Sequence, residues 1–189
     1  MQVTLRELAT AAHGLLFGGF FLFAIFGVLV ELVRSAHVKG ASDLTARGCS
    51  LARVYMIATA GLGWAAVLLG AYSVYPWYRA IPPAGAADLS LYPQRLLLAS
   101  ATTSGWHSLG MEWKEHVAWF APIVMTMAAY VVAKYQGSLR THPQVKRGLI
   151  LFTTTALLAA GVAGFFGAML DKAAPIKGRG TITLMRSAK

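Results

Sequence analysis

Cysteine occurs once in this 189-residue chain, at Cys49. An internal disulfide is therefore excluded, and with no CxxC or CxxCH a covalently attached c-type haem and an iron–sulfur cluster held by this chain alone are excluded too. Charge is also scarce. Only 13% of residues are Asp, Glu, Lys or Arg, against about 25% in an average soluble domain. Acids are the scarcest of these, 7 against 17 bases, which leaves no carboxylate set for a di-metal centre. No P-loop, HExxH, GxSxG or dinucleotide fingerprint is present. The net charge of +10 comes with no nucleic-acid module, so no nucleic-acid partner is expected. The bases lie mostly in connectors and in the C-terminal tail, where membrane proteins set topology and meet anionic lipid.

What the chain has in abundance is apolar length. Four runs, over residues 12–33, 54–75, 117–133 and 148–170, are almost free of charge. A bilayer core needs ~20 mostly apolar residues per helix, and lipid offers no partner to a bare backbone, so each run must be helical. The third run is short and is expected to begin earlier, giving a span over 112–133. The expected fold is all-α: one transmembrane domain over residues 1–189, a bundle of four transmembrane helices with one long outward interfacial loop over 76–111. Glu7 and the length of the first run argue against a cleaved signal peptide. Residues 1–11 read as an amphipathic head on the membrane surface. Tyr72, Tyr75, Trp77 and Tyr78 form an aromatic belt. Pro82-Pro83-Ala84-Gly85 forbids helix, and a short helix is expected over 89–100 with Pro93 in its first turn. Its Leu96-Leu97-Leu98 run is expected on the membrane or on a neighbouring subunit. Pro122 is expected to kink the third span. The connectors after spans one and three carry Arg34, Lys39, Arg47, Arg53 and Lys134, Arg140, Lys146, Arg147, which places them in the cytoplasm and both termini outside. The basic tail pulls the other way.

Of the five histidines, His13 and His116 open spans one and three, which run in the same direction. Two imidazoles at matching depth on parallel helices can supply the axial ligands of a b-type haem. Phe17, Phe20, Phe21, Trp119 and Phe120 can line its slot. The plainer alternative is that each histidine is a polar neighbour of lipid headgroups. His107 lies nine residues before His116, so it can be the alternative ligand only if the helix bends at Gly110; otherwise it suits an outward quinone or proton path. Glu112 is four residues before His116 and can orient that ring. Arg79 can pair with a haem propionate, with Glu112 or Glu115, or with lipid phosphate. The polar cluster over 106–116 reads equally as a quinone headgroup site, a proton relay or an interfacial girdle. Lys114 and Glu115 within it read as snorkelling side chains. Glu31 is expected to pair with Arg34, and His37 and His142 to sit on the surface. Gly14, Gly18, Gly161, Gly164 and Gly167 allow close helix packing or room for a flat ring.

At His13, Tyr75-Pro76-Trp77-Tyr78-Arg79 and Lys114-Glu115-His116 the chain resembles small four-helix bacterial membrane proteins thought to carry b-type haem. In plan it is similar to the cytochrome b-type anchor subunits of respiratory oxidoreductases. The resemblance implies haem b, held by His13 and His116 with Arg79, Glu112 and His107 beside it. It also implies the bacterial inner (cytoplasmic) membrane, partner subunits, and electron transfer between quinone and an extracytoplasmic redox partner. Only two histidines are well placed and the loop before span three is long, so a two-haem scheme does not follow. The alternative is a cofactor-free structural subunit that stabilises a larger respiratory or photosynthetic complex. A transporter is disfavoured, because no span shows a charge near its middle.

Overall fold

The computed structural model describes residues 2–37, 46–135, 139, 141–178 and 182–183. Four helices long and apolar enough to cross a membrane run over Leu5–Arg34, Leu51–Tyr78, Ala101–Tyr135 and Pro143–Ala173. The chain is an all-α, multi-pass membrane protein. Span one packs on two and four, and span three packs on two and four. Spans one and three therefore face each other across the diagonal. The two chain ends meet at one face, where Gln2 pairs with Thr183 and Val3 with Ile182 in a short antiparallel ladder.

Every span is longer than the hydropathy pattern predicts. Residues 5–11, expected as a separate surface head, are the first turns of span one. The cause is a capping box: the Thr4 hydroxyl accepts from the Glu7 N–H at 3.1 Å, and the Glu7 carboxylate accepts from the Thr4 N–H at 2.7 Å. These bonds satisfy two of the donors that a helix start leaves open. Span three starts at Ala101, where Ser100 accepts from the Thr102 N–H, and not near residue 112. The interfacial loop over 76–111 is correspondingly shorter. Span two runs on to Tyr78, the loop occupies residues 79–92, and a short helix follows over Pro93–Leu98 with Pro93 at its first position. Gly105 and Gly110 sit inside span three without ending it.

The core lies between the spans and is built from small and medium side chains. Phe21, Ile25 and Val28 of span one meet Met56 and Ala60 of span two, Ala121, Met125 and Ala128 of span three, and Leu149 and Ala156 of span four. Leucine and phenylalanine are left on the outside: Leu15, Phe23 and Leu151 are exposed, as helices bathed in lipid require. Hydrogen bonds tie neighbours together within the apolar zone. Tyr55 donates to the Ala24 carbonyl at 2.9 Å, Trp64 Nε1 to Thr126 Oγ1 at 2.9 Å, and Trp113 Nε1 to the Ala159 carbonyl at 3.1 Å. Each such bond is worth about 0.6–2 kcal/mol in a bilayer. Glu31 pairs with Arg34 at 2.8 Å on the exposed surface. A second cluster caps the end that carries the chain termini, and Leu97 lies within it beside Val74, Tyr78, Met111, Leu170 and Ile176. That middle leucine of the 96–98 run thus packs against its own chain. The readings on Lys39, Arg140 and the tail beyond residue 183, and on the side chains of His37, Arg47 and Cys49, lie outside what is described.

Gly63 sets how closely spans one and two approach. A β-carbon there would stand 2.8 Å from the ring of Phe21, which is itself buried. Gly61 has open space around it. We expect Gly63→Ala to lower stability by about 1–3 kcal/mol through overpacking and Gly61→Ala to leave it unchanged, as read by thermal unfolding in detergent.

Candidate functional site

Among the described residues the helical winding loosens at one face only. In span one residues Ala12–Gly19, in span two Gly70–Val74, and in span three Trp106–Met111 and Trp113–Val117 follow wide turns in which N–H groups reach back five residues. The Ala118 N–H, for example, donates to the Trp113 carbonyl at 3.2 Å. Pro122 lies just beyond; it has no N–H to give to Ala118, and the helix loosens to a turn at residues 118–119. Wide turns of this kind are uncommon and gather at functional sites. All four stretches lie at the end that carries both chain termini. Counting ~20 residues back from Tyr135 puts the edge of the hydrocarbon near Lys114 and Glu115. The loosened zone is thus the boundary between lipid and headgroups.

Inside this zone His13 points into the bundle. Its Nδ1–H donates to the Ala66 carbonyl of span two at 2.8 Å. Its ring lies flush on Gly70, where a β-carbon would stand 2.5 Å from Cε1. With Nδ1 committed as donor, the neutral ring presents the lone pair of Nε2.

Lys114 enters from across the diagonal. Its Nζ lies 3.0 Å from the point where a β-carbon of Gly167 would stand, and its charge acts on His13 and on Asp171. Gly167 leaves the space that the lysine head fills. Among the described residues the ammonium makes no hydrogen bond and no ion pair within 4.0 Å. Beside it, Glu115 turns toward Tyr75, and its Oε1 is buried with no partner among the described residues. One cation and one carboxylate oxygen are therefore held inward with their hydrogen-bonding capacity unfilled.

A third group ties the loop to the site. The Tyr78 hydroxyl lies 2.6 Å from His107 Nδ1, and the Gln94 amide nitrogen lies 3.4 Å from His107 Nε2. Tyr78 is 4% exposed and stacks on Tyr75 with ring centres 6.4 Å apart. An amide N–H on Nε2 makes Nδ1 the donor to the tyrosine oxygen. This chain links the short helix Pro93–Leu98, the end of span two and the start of span three.

The remaining predicted residues stand apart from this interior group. His116 lies on the outer flank, its side chain 70% exposed. Its Nδ1–H donates to the Glu112 carbonyl at 3.0 Å, and its ring is 3.5 Å from the Glu112 carboxylate. Glu112 therefore does touch His116, but outside the bundle. His13 is bonded to span two within the bundle and His116 to its own helix on the outer flank, and the two share no hydrogen bond or ring contact. The reason is rotational: residues two apart stand on nearly opposite flanks of a helix in regular and wide winding alike, so the turn that brings Lys114 inward carries His116 outward. Arg79 makes no ion pair with Glu112 or Glu115; its guanidinium rests over the Tyr75 ring at 5.6 Å. Among the described residues no group of three or more His, Cys, Asp or Glu side chains is placed to hold a metal ion.

Lys114 and Glu115, which the sequence reads as snorkelling side chains within the 106–116 cluster, are turned inward instead. The signal was available. The buried positions Val132, Ala128, Met125 and Ala121 of span three recede at helical spacing to position 114, not to 116. No protein-family model, curated protein or solved structure matches the chain.

An inward ammonium without an acceptor costs several kcal/mol of stability. We expect Lys114→Met to unfold at the same temperature as the wild type or higher when both are ligand-free in detergent, by as much as about 1–4 kcal/mol. A loss greater than about 1 kcal/mol would show that the ammonium has a stabilising partner in the free protein.

Proposed function

We propose that this chain is a subunit of an electron-transfer complex in the bacterial inner membrane, and that its loosened outer face binds a quinone headgroup. One observation carries the reading. A lysine head and an imidazole are turned inward from opposite spans at the edge of the hydrocarbon, and among the described residues the lysine has no acceptor of its own. A quinone presents two carbonyl oxygens at that depth, held there by its apolar ring and tail. The Lys114 ammonium would donate to one of them. His13 Nε2 would take the proton from one hydroxyl of the reduced form, and Glu115, with an unfilled oxygen, is the second group placed to accept one. Oxidation of a quinol releases two electrons and two protons. The protons would leave by way of Glu115 and Tyr75 toward the loop, and the electrons would pass to a redox centre in a partner subunit.

The haem b expectation rests on the matching depth of His13 and His116 and on the resemblance of short motifs, and it requires the His116 ring to leave the Glu112 carbonyl and turn inward. The quinone reading uses side chains where they stand. The structural-subunit alternative keeps the bundle and gives the inward polar groups no ligand.

The test is titration of a decyl-chain benzoquinone into the purified protein in lipid nanodiscs, followed by quenching of tryptophan fluorescence. Lys114→Gln and His13→Gln are each expected to weaken binding about tenfold, which is about 1.4 kcal/mol, while His116→Gln changes nothing. Equal binding by all three variants would overturn the reading, and absence of binding would leave the scaffold. A reduced-minus-oxidised absorption spectrum separates the haem case. A Soret band lost in both His13→Ala and His116→Ala would reinstate the two-histidine site.

A further inference from the structure

A polar cavity of about 290 Å³ lies at the same face and is lined by Arg6, Ala80, Leu91 and Tyr92. It brings together the first turn of span one, the residue beyond the end of span two and the approach to the short helix. Arg6 lies seven residues before His13 on one continuous helix. That spacing lifts it about 10 Å beyond the hydrocarbon edge, into the depth of the headgroups.

The guanidinium of Arg6 stands over the Trp77 ring at 5.5 Å. Among the described residues it makes no hydrogen bond and no ion pair. The acids nearest in sequence to the cavity lining are engaged elsewhere. Glu7 closes the capping box on Thr4. Asp88 accepts from the Ser90 N–H at 2.9 Å and from the Ser90 hydroxyl at 3.1 Å, and the backbone bond holds its carboxyl below the usual range. Neither carboxylate neutralises the arginine. A planar cation with five donors, braced on an indole face and opening on a polar cavity, matches the geometry of a phosphate oxygen pair. Trp77 and Tyr92 beside it are the side chains that anchor at the headgroup level.

We infer that Arg6 and the cavity it lines form a phosphate-binding site. The phosphate belongs either to a phospholipid headgroup of the adjoining leaflet or to a free phosphate ion, and both present the same two oxygens to the guanidinium. This site shares no lining residue with the Lys114 and His13 group and stands whether or not a quinone binds there.

Native mass spectrometry of the protein released from phosphatidylglycerol nanodiscs, with Arg6→Gln, Arg6→Lys and Arg95→Gln beside the wild type, tests it. Arg95 lies on the same face, is exposed, and serves as the control. The wild type and Arg95→Gln are expected to retain one lipid that Arg6→Gln loses about tenfold, with Arg6→Lys between them because a point charge replaces the fork. Inorganic phosphate alone is then titrated by calorimetry into lipid-depleted protein. Binding that Arg6→Gln abolishes assigns the free ion, whereas retention of lipid with no response to phosphate assigns the headgroup. Equal lipid retention and equal phosphate response in the wild type and in a folded Arg6→Gln would overturn the inference, as would no binding of either by the wild type.

Discussion

A helix within lipid has no water to replace a hydrogen bond it gives up, so each backbone N–H and C=O in the hydrocarbon must be satisfied by the helix itself or by a neighbour. This constraint fixes the four spans. It also gives meaning to where their winding relaxes. Three spans adopt wide turns, and all do so at one end, where headgroups and water can serve the carbonyls that the wider winding leaves poorly paired. The cytoplasmic half predicted from the basic connectors keeps regular winding, and the small-residue core of Ala121, Ala128 and Ala156 belongs to that regular part. The bundle is thus firm over most of its length and adaptable at one mouth.

The adaptable mouth is also where the chain carries polar groups that do nothing for its stability. Burying an unpaired cation opposes folding, and Lys114 has only the indirect company of Asp171 and His13. Gly70 and Gly167 have no side chain where the His13 ring and the Lys114 head need space. Two glycines on two different spans, each opposite an inward polar head, are hard to account for by close helix packing alone, because each makes room for a side chain and not for a backbone. The interior of the mouth is shaped around those two heads.

Much of this was legible in the sequence. The number of spans, the short helix at Pro93, the Glu31–Arg34 pair and the concentration of polar groups over 106–116 all follow from hydropathy and turn chemistry. The span limits did not, because apolar runs mark only the lipid-facing length of a helix; polar turns beyond it continue wherever a cap such as Thr4 or Ser100 starts them. Thr4-Leu5-Arg6-Glu7 carries the capping-box signature, and that local signal competes with the amphipathic look of the same residues. The inward and outward facing of the two histidines is a different matter. Depth along parallel spans can be counted from sequence, but facing requires the phase of the helix. The stripe from Val132 back to Ala121 gives that phase and selects Lys114. The partners across the bundle, Gly70 for His13 and Gly167 for Lys114, arise from tertiary placement that no local pattern records.

The joined ends of the chain bear on how the protein is made. Span one rests on span four, and Gln2 and Val3 pair with residues 182 and 183. At translation rates of roughly 5–20 residues per second, the first span waits on the order of ten seconds or more in the membrane before its last neighbour is synthesised. During that interval one flank of span one is open to lipid or to any chaperone at the insertion site. The terminal ladder is then a seal that only a completed chain can close.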